Sequence, residues 1–164
     1  MINFRKSFLF LFVSFVVINL NAQPKYGQDA GEIALPSANG DTIRLSSLKG
    51  KVVLLDFWAS WCGPCRASNK NLVKLYPKYK AKGFEILGVS LDEDKTKWKS
   101  AVKKDKISWL QVIDAGGGWE TRTAQSWGIM ALPTSYLIDK NGKLIAMDLE
   151  GKELEKAVKE LLEK

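Results

Sequence analysis

Histidine is missing from this chain, and cysteine occurs only twice among 164 residues. Without histidine there is no Ser-His-Asp or Cys-His hydrolase, no histidine general base and no histidine-ligated zinc. Two cysteines are too few for a disulfide-stapled secreted scaffold or a four-thiolate metal centre. Repeats, low-complexity tracts and long Pro/Gly/Ser linkers are also lacking, so a chain of this length is expected to form one domain with a sizeable core. The longest apolar run, Phe8 to Ile18, covers eleven residues and is broken by Ser14. A membrane-spanning helix needs roughly 20.

That run carries its own message. Five of the seven phenylalanines stand in the first fifteen residues, Arg5 and Lys6 precede the run, and Leu20-Asn21-Ala22-Gln23 follows it. A basic start, a short apolar stretch and a small-residue end predict a secretory signal peptide over residues 1–22, with cleavage after Ala22. An uncleaved membrane anchor is the alternative. No cysteine follows the run, which excludes a diacylglyceryl anchor. The mature domain is then residues 23–164, and its net charge falls from +7 to +5 because the segment takes Arg5 and Lys6 with it. The expected location is outside the cytoplasm, in a periplasm.

Basic residues are densest at Lys95, Lys97, Lys99, Lys103, Lys104 and Lys106, but Asp92, Glu93, Asp94 and Asp105 are interleaved with them. A nucleic-acid footprint would want a coherent basic face with Arg and stacking aromatics. The pattern fits a solvated helix surface, and no nucleic-acid partner is expected.

Hydrophobic periodicity orders the rest. Ile33 and Leu35, Asn39-Gly40-Asp41, then Ile43 and Leu45 predict a hairpin. Val52–Phe57 and Phe84–Ser90 are continuous apolar runs that suit strands buried on both faces. Leu72, Leu75, Tyr76 and Tyr79 recur at helical spacing up to Gly83, with a kink or break expected at Pro77. Trp98, Ala101 and Val102 mark the apolar side of a second helix, ahead of a short strand at Trp109–Ile113. Gly116-Gly117-Gly118 reads as a turn before a short helix, Thr123–Trp127. Thr134–Ile138 and Lys143–Met147 flank an Asn141-Gly142 hairpin signal, and Glu153–Leu162 closes as an amphipathic helix. The expected class is α/β with a mixed sheet.

Cys62 and Cys65 fall where a buried strand gives way to a helix. A thiolate at a helix N-terminus is stabilised by the helix dipole and by free backbone N–H groups. Pro64 is tolerated there because first-turn N–H groups have no intrahelical partner. The spacing brings the sulfurs close enough to form a disulfide with little backbone movement. Cys62 is expected to be the exposed nucleophile and Cys65, one turn inside, the resolving thiol. A structural bridge across two residues would add little stability. A metal site would lack further soft ligands, apart from Met130 and Met147 as aids to copper(I). Asp56, inside Val52–Trp58, is costly to bury ionised, so its pKa should rise unless it faces solvent at the strand end.

Asp56-Phe57-Trp58-Ala59-Ser60-Trp61-Cys62-Gly63-Pro64-Cys65 resembles the active-site segment of thioredoxins. The hairpin before it, the insert between Leu91 and Met130 and the N-terminal segment resemble the exported thioredoxin-like proteins of the TlpA/ResA/CcmG group, related to the AhpC/TSA redoxins. The likeness covers about residues 27–162. It implies a thioredoxin fold, with a mixed central sheet flanked by helices, an N-terminal β-hairpin and a helix–strand insert.

The same resemblance implies a thiol–disulfide oxidoreductase that reduces protein disulfides, is re-reduced by a membrane thiol-transfer protein and takes apocytochrome c as one plausible client. It implies a cis Leu132–Pro133 bond beside the thiols, with Leu132 pairing to an extended substrate segment and Trp61, Gly63 and Pro64 bordering the site. It makes Asp56 the proton relay for Cys65. No cofactor is required, since the two thiols are the whole redox apparatus. A client- or copper(I)-binding module without turnover is the alternative.

The chain also departs from the pattern. Ser68 stands where many ResA-like proteins have Glu, and Lys70 stands where thioredoxins have a helix-kinking proline. Leu55 and Ala59 occupy the Pro and Thr/Ser places of the peroxiredoxin motif, which argues against a peroxidase. Trp58 and Trp61 are expected to wall the site, and Trp98, Trp109, Trp119 and Trp127 to fill the core of the insert.

Overall fold

The two fully apolar runs become the middle of a sheet. In the computed structural model, which describes residues 24–164, β3 (Val52–Trp58) and β4 (Phe84–Ser90) are parallel neighbours with every residue buried. The strand order is β5-β4-β3-β6-β7, where β5 is Leu110–Ile113, β6 Thr134–Ile138 and β7 Leu144–Met147. β4 and β5 are parallel, whereas β6 runs antiparallel to β3 and β7 antiparallel to β6. The sheet is mixed, as expected. β1 (Ala34–Pro36) and β2 (Thr42–Arg44) form the predicted hairpin. The proposed signal segment, residues 1–22, lies outside the described residues.

Side-chain alternation along β3 sorts the core into layers. Val53, Leu55 and Phe57 point to one face, where they pack with Ile33, Leu45, Trp127 and Tyr136. Val52 and Leu54 point to the other. There they meet Leu72, Leu75 and Tyr76 of α1 (Gly63–Tyr79) and Leu154 and Val158 of α4 (Gly151–Glu163). Each such fully buried aliphatic side chain contributes about 1.5–3 kcal/mol of transfer free energy.

Local signals set the ends. α2 (Lys95–Lys104) is capped by Asp94, whose carboxylate accepts from the N–H of Thr96 at 2.7 Å and of Lys97 at 3.2 Å. Such a cap is worth about 1 kcal/mol. Asn141 and Gly142 close the β6–β7 hairpin, with Gly142 at φ 84°, and Asp139 accepts from the N–H groups of Asn141 and Lys143. Pro77 does not break α1. The helix continues to Tyr79, then tightens into a 3₁₀ turn over Lys80–Lys82 that ends at Gly83. In the last turn the missing proline N–H removes one bond from a helix that is already terminating.

Candidate active site

β3 delivers the chain to a three-residue loop, Ala59–Trp61, and α1 begins at once. Cys62 is the N-cap, with extended backbone, and its Sγ accepts from the Cys65 N–H at 3.1 Å. The two cysteines form a disulfide, S–S 2.01 Å and Cα–Cα 5.3 Å. Gly63 and Pro64 occupy the first turn, exposed, beside an exposed Trp61. The prediction of an exposed Cys62 needs correction. Cys62 is 6% exposed and Cys65 1%, so Cys62 is only the more accessible of two buried sulfurs. Trp58, Trp98, Ala101 and Ile113, with the partly buried Leu132, pack around the pair and cover both.

The loop is held by groups that sequence reasoning missed. Asp92, buried just beyond β4, accepts from the Ser60 N–H at 2.8 Å and from its hydroxyl at 2.5 Å, and also from the Ser90 hydroxyl at 2.7 Å. The remaining polar group of Ser60, its carbonyl, accepts from the Arg66 guanidinium at 3.1 Å. Arg66 in turn donates through two nitrogens to Asp105 at the end of α2, which Asn69 also contacts at 3.1 Å. Burial pushes the Asp105 carboxyl up, but these Arg66 and Asn69 bonds outweigh it and hold its pKa below the usual value. The backbone just before Trp61-Cys62 is therefore clamped to β4 and α2. An acid within Asp92-Glu93-Asp94 carries no sequence mark of burial.

The Leu132–Pro133 peptide is cis. Pro133 leads directly into β6, where Thr134 pairs with Phe57 at the end of β3, so the proline loop stands at the edge of β3 from which the cysteine loop departs. Leu132 packs into the cluster that holds both cysteines.

Asp56 does not face solvent. It is buried on the face of β3 that also carries Leu54 and Trp58, at the floor of a cleft of about 370 Å³ between α1, the start of α4 and the β6–β7 hairpin. Burial first, and the nearby Asp148 charge second, push its pKa up to about 7. Asp148 has the left-handed φ of 53° and is tied to Ser135: its carboxylate accepts from the Ser135 N–H at 2.7 Å, and its N–H donates to the Ser135 carbonyl at 2.8 Å. Ser68 and Pro133 line the same cleft. The Ser68 departure therefore falls beside Asp56, whereas Lys70 is exposed.

The tryptophans do not form one insert core. Trp58 is buried in the cluster that holds both cysteines and donates its indole N–H to Gln111 Oε1 at 3.0 Å, so it walls the site from the inside. Trp98 packs against the cysteines, Trp109 with Tyr76, and Trp127 against Phe57 and Tyr136. Trp119 is exposed and sets its ring 6.2 Å from that of Trp61, tilted by 62°. Of these residues only Trp58 lies on a strand, and the element each of the others packs against is distant from it in sequence. Met130 is exposed on the loop leading to Leu132, and Met147 ends the edge strand β7.

A bond that forms and breaks between neighbouring side chains at a helix start, on this order of strands, is the working part of a thioredoxin-like thiol–disulfide oxidoreductase. The chain belongs to the Redoxin family, whose profile matches residues 25–162. It is 37% identical over 138 residues to the thiol-disulfide oxidoreductase ResA of Bacillus thuringiensis subsp. konkukian, covering 84% of this chain and 77% of that one. A thiol-disulfide oxidoreductase from Bacteroides fragilis superposes with a TM-score of 0.76 at 39% identity, covering 82% of this chain and 99% of the other. The thioredoxin domain of one from Bacteroides vulgatus gives 0.78 at 35%, covering 84% and 98%.

Proposed function

We propose that the chain is an exported reductase of protein disulfides. In the reduced enzyme the Cys62 thiolate attacks one sulfur of a partner disulfide. That S–S bond breaks, and the partner's second sulfur leaves as a thiolate that takes up a proton. Cys65, its proton passed through water to the Asp56 carboxylate, attacks Cys62 of the mixed disulfide. The partner leaves with both cysteines reduced, and Cys62–Cys65 is oxidised by two electrons. A carboxyl with its pKa near 7 is matched to that proton transfer at neutral pH.

The observation that carries this reading is the juxtaposition of the Cys62–Cys65 pair at the helix N-terminus with the Leu132–Pro133 loop, which offers a backbone edge to an extended substrate segment. Trp61, Gly63 and Pro64 form the exposed border that such a segment would meet. The Gly-Pro pair between the cysteines resembles the reducing members of the superfamily. Export rests on the pattern of residues 1–22. In an oxidising compartment, re-reduction falls to a membrane thiol-transfer protein, and the ResA-type relationship makes apocytochrome c a candidate client.

Mixing the reduced enzyme with a disulfide-containing protein tests the scheme by intact mass. Cys65→Ser should accumulate a mixed disulfide and Cys62→Ser should not. Tight copper(I) binding lost in Cys62→Ser, with no reduction of any disulfide, would favour a binding module instead.

A further inference from the structure

The face of α2 beside the disulfide has no role in the chemistry above. Trp98 and Ala101 turn inward and pack on the cysteines. Helical spacing then sets Lys97, Ser100 and Lys104 in a row at the rim. These three residues, with Ser60, Arg66 and Thr96, line an open cleft of about 520 Å³ that begins at Trp61, the neighbour of Cys62.

No acid is among the residues that line the cleft, and three of the acids near it are held elsewhere, whereas Glu93 is exposed beside the turn that carries Trp119. Asp92 is bound to Ser60 and Ser90, Asp105 to Arg66 and Asn69, and Asp94 to the α2 N-terminus. Among the described residues, neither Lys97 nor Lys104 belongs to an ion pair. The cleft is thus cationic and lined with hydroxyls. Its border with the disulfide is aromatic, where exposed Trp61 packs on exposed Trp119.

We infer that this cleft is a specificity surface for the partner protein. It receives an extended segment next to the partner's reactive cysteine, with acidic side chains set against Lys97 and Lys104 and an apolar one against the Trp61–Trp119 pair. The inference rests on the reductase reading and adds the character of the substrate. Unpaired cations at the edge of a site act mainly on encounter and orientation, and salt screens them.

The test compares three disulfide-bridged peptides, alike except that Glu, Gln or Lys flanks the cysteines, as substrates of the reduced full-length protein. The Glu peptide should react at least about fivefold faster than the Lys peptide at low salt, an advantage reduced to under about twofold near 0.5 M salt. Lys97→Glu with Lys104→Glu should reverse the order. Lys156→Glu with Lys159→Glu, remote on α4, should leave it unchanged. Equal rates for the three peptides overturn the surface, as does an order that survives reversal of Lys97 and Lys104. So does binding to anionic phosphatidylglycerol vesicles through the same lysines without peptide preference, which would make this a lipid-facing patch. Failure to exchange with any peptide overturns the reductase reading itself.

Discussion

Asp92 holds Ser60 through both its backbone N–H, at 2.8 Å, and its hydroxyl, at 2.5 Å, so one buried carboxylate fixes the residue that stands two before Cys62. Asp92→Ala leaves those donors, and the Ser90 hydroxyl, without their acceptor. The expected loss of stability is about 3 kcal/mol by chemical denaturation. Disulfide exchange should also slow by about tenfold, because small displacements of a reacting group are expensive. Unchanged exchange in a folded variant would show that the clamp is structural only.

Asp56 gives a prediction with two readouts. Its carboxyl titrates near 7 in the folded chain and near the ordinary 3.8 when unfolded. Between those values the unfolded chain has lost a proton that the folded one keeps, so this group makes stability fall as pH rises from about 4 to about 7. Asp56→Asn removes that slope. At about pH 8 it should stabilise the protein by up to about 4 kcal/mol, with no comparable gain below about pH 4. Exchange at neutral pH should slow by roughly 10²-fold and lose its inflection near 7. A rate unchanged at neutral pH would remove Asp56 from the mechanism.

Gly88 pairs with Gln111 across β4 and β5, and a Cβ there would stand 2.1 Å from Gln111 Nε2. Gly88→Ala must push the Gln111 amide aside and break its bond to the Trp58 indole, one strand away. We expect a loss of about 1–3 kcal/mol in urea denaturation. Combined with Gln111→Ala, the two losses should be clearly less than additive, since the second change removes what the first collides with. Full additivity would contradict the contact.

Much of this was legible beforehand because local pattern and global fold agree. Continuous apolar runs announced β3 and β4, helical spacing announced α1 and α4, and the resemblance of the cysteine segment to thioredoxins implied the cis Leu132–Pro133 bond. What escaped depends on contacts between residues distant in sequence. Packing against different faces of the sheet placed Trp127, Trp109 and the pair Trp58 and Trp98 in three separate clusters. Asp92 looked like one more acid in a solvated loop until the end of β4 was placed beneath Ser60. Trp119 became part of the rim only because its 3₁₀ turn, Gly118–Glu120, brings it to Trp61. The packing that buries Cys62 likewise comes from α2, more than thirty positions along the chain.

A reductase requires that Cys62 and Cys65 form a reducing couple. Equilibrating the protein in graded dithiol buffers and following tryptophan fluorescence measures this directly, since Trp58 and Trp98 pack in the same cluster as the two sulfurs. A reductase predicts a midpoint near thioredoxin's, about −270 mV, whereas a value near that of the strong oxidant DsbA, about −120 mV, would reverse the proposed direction of electron flow.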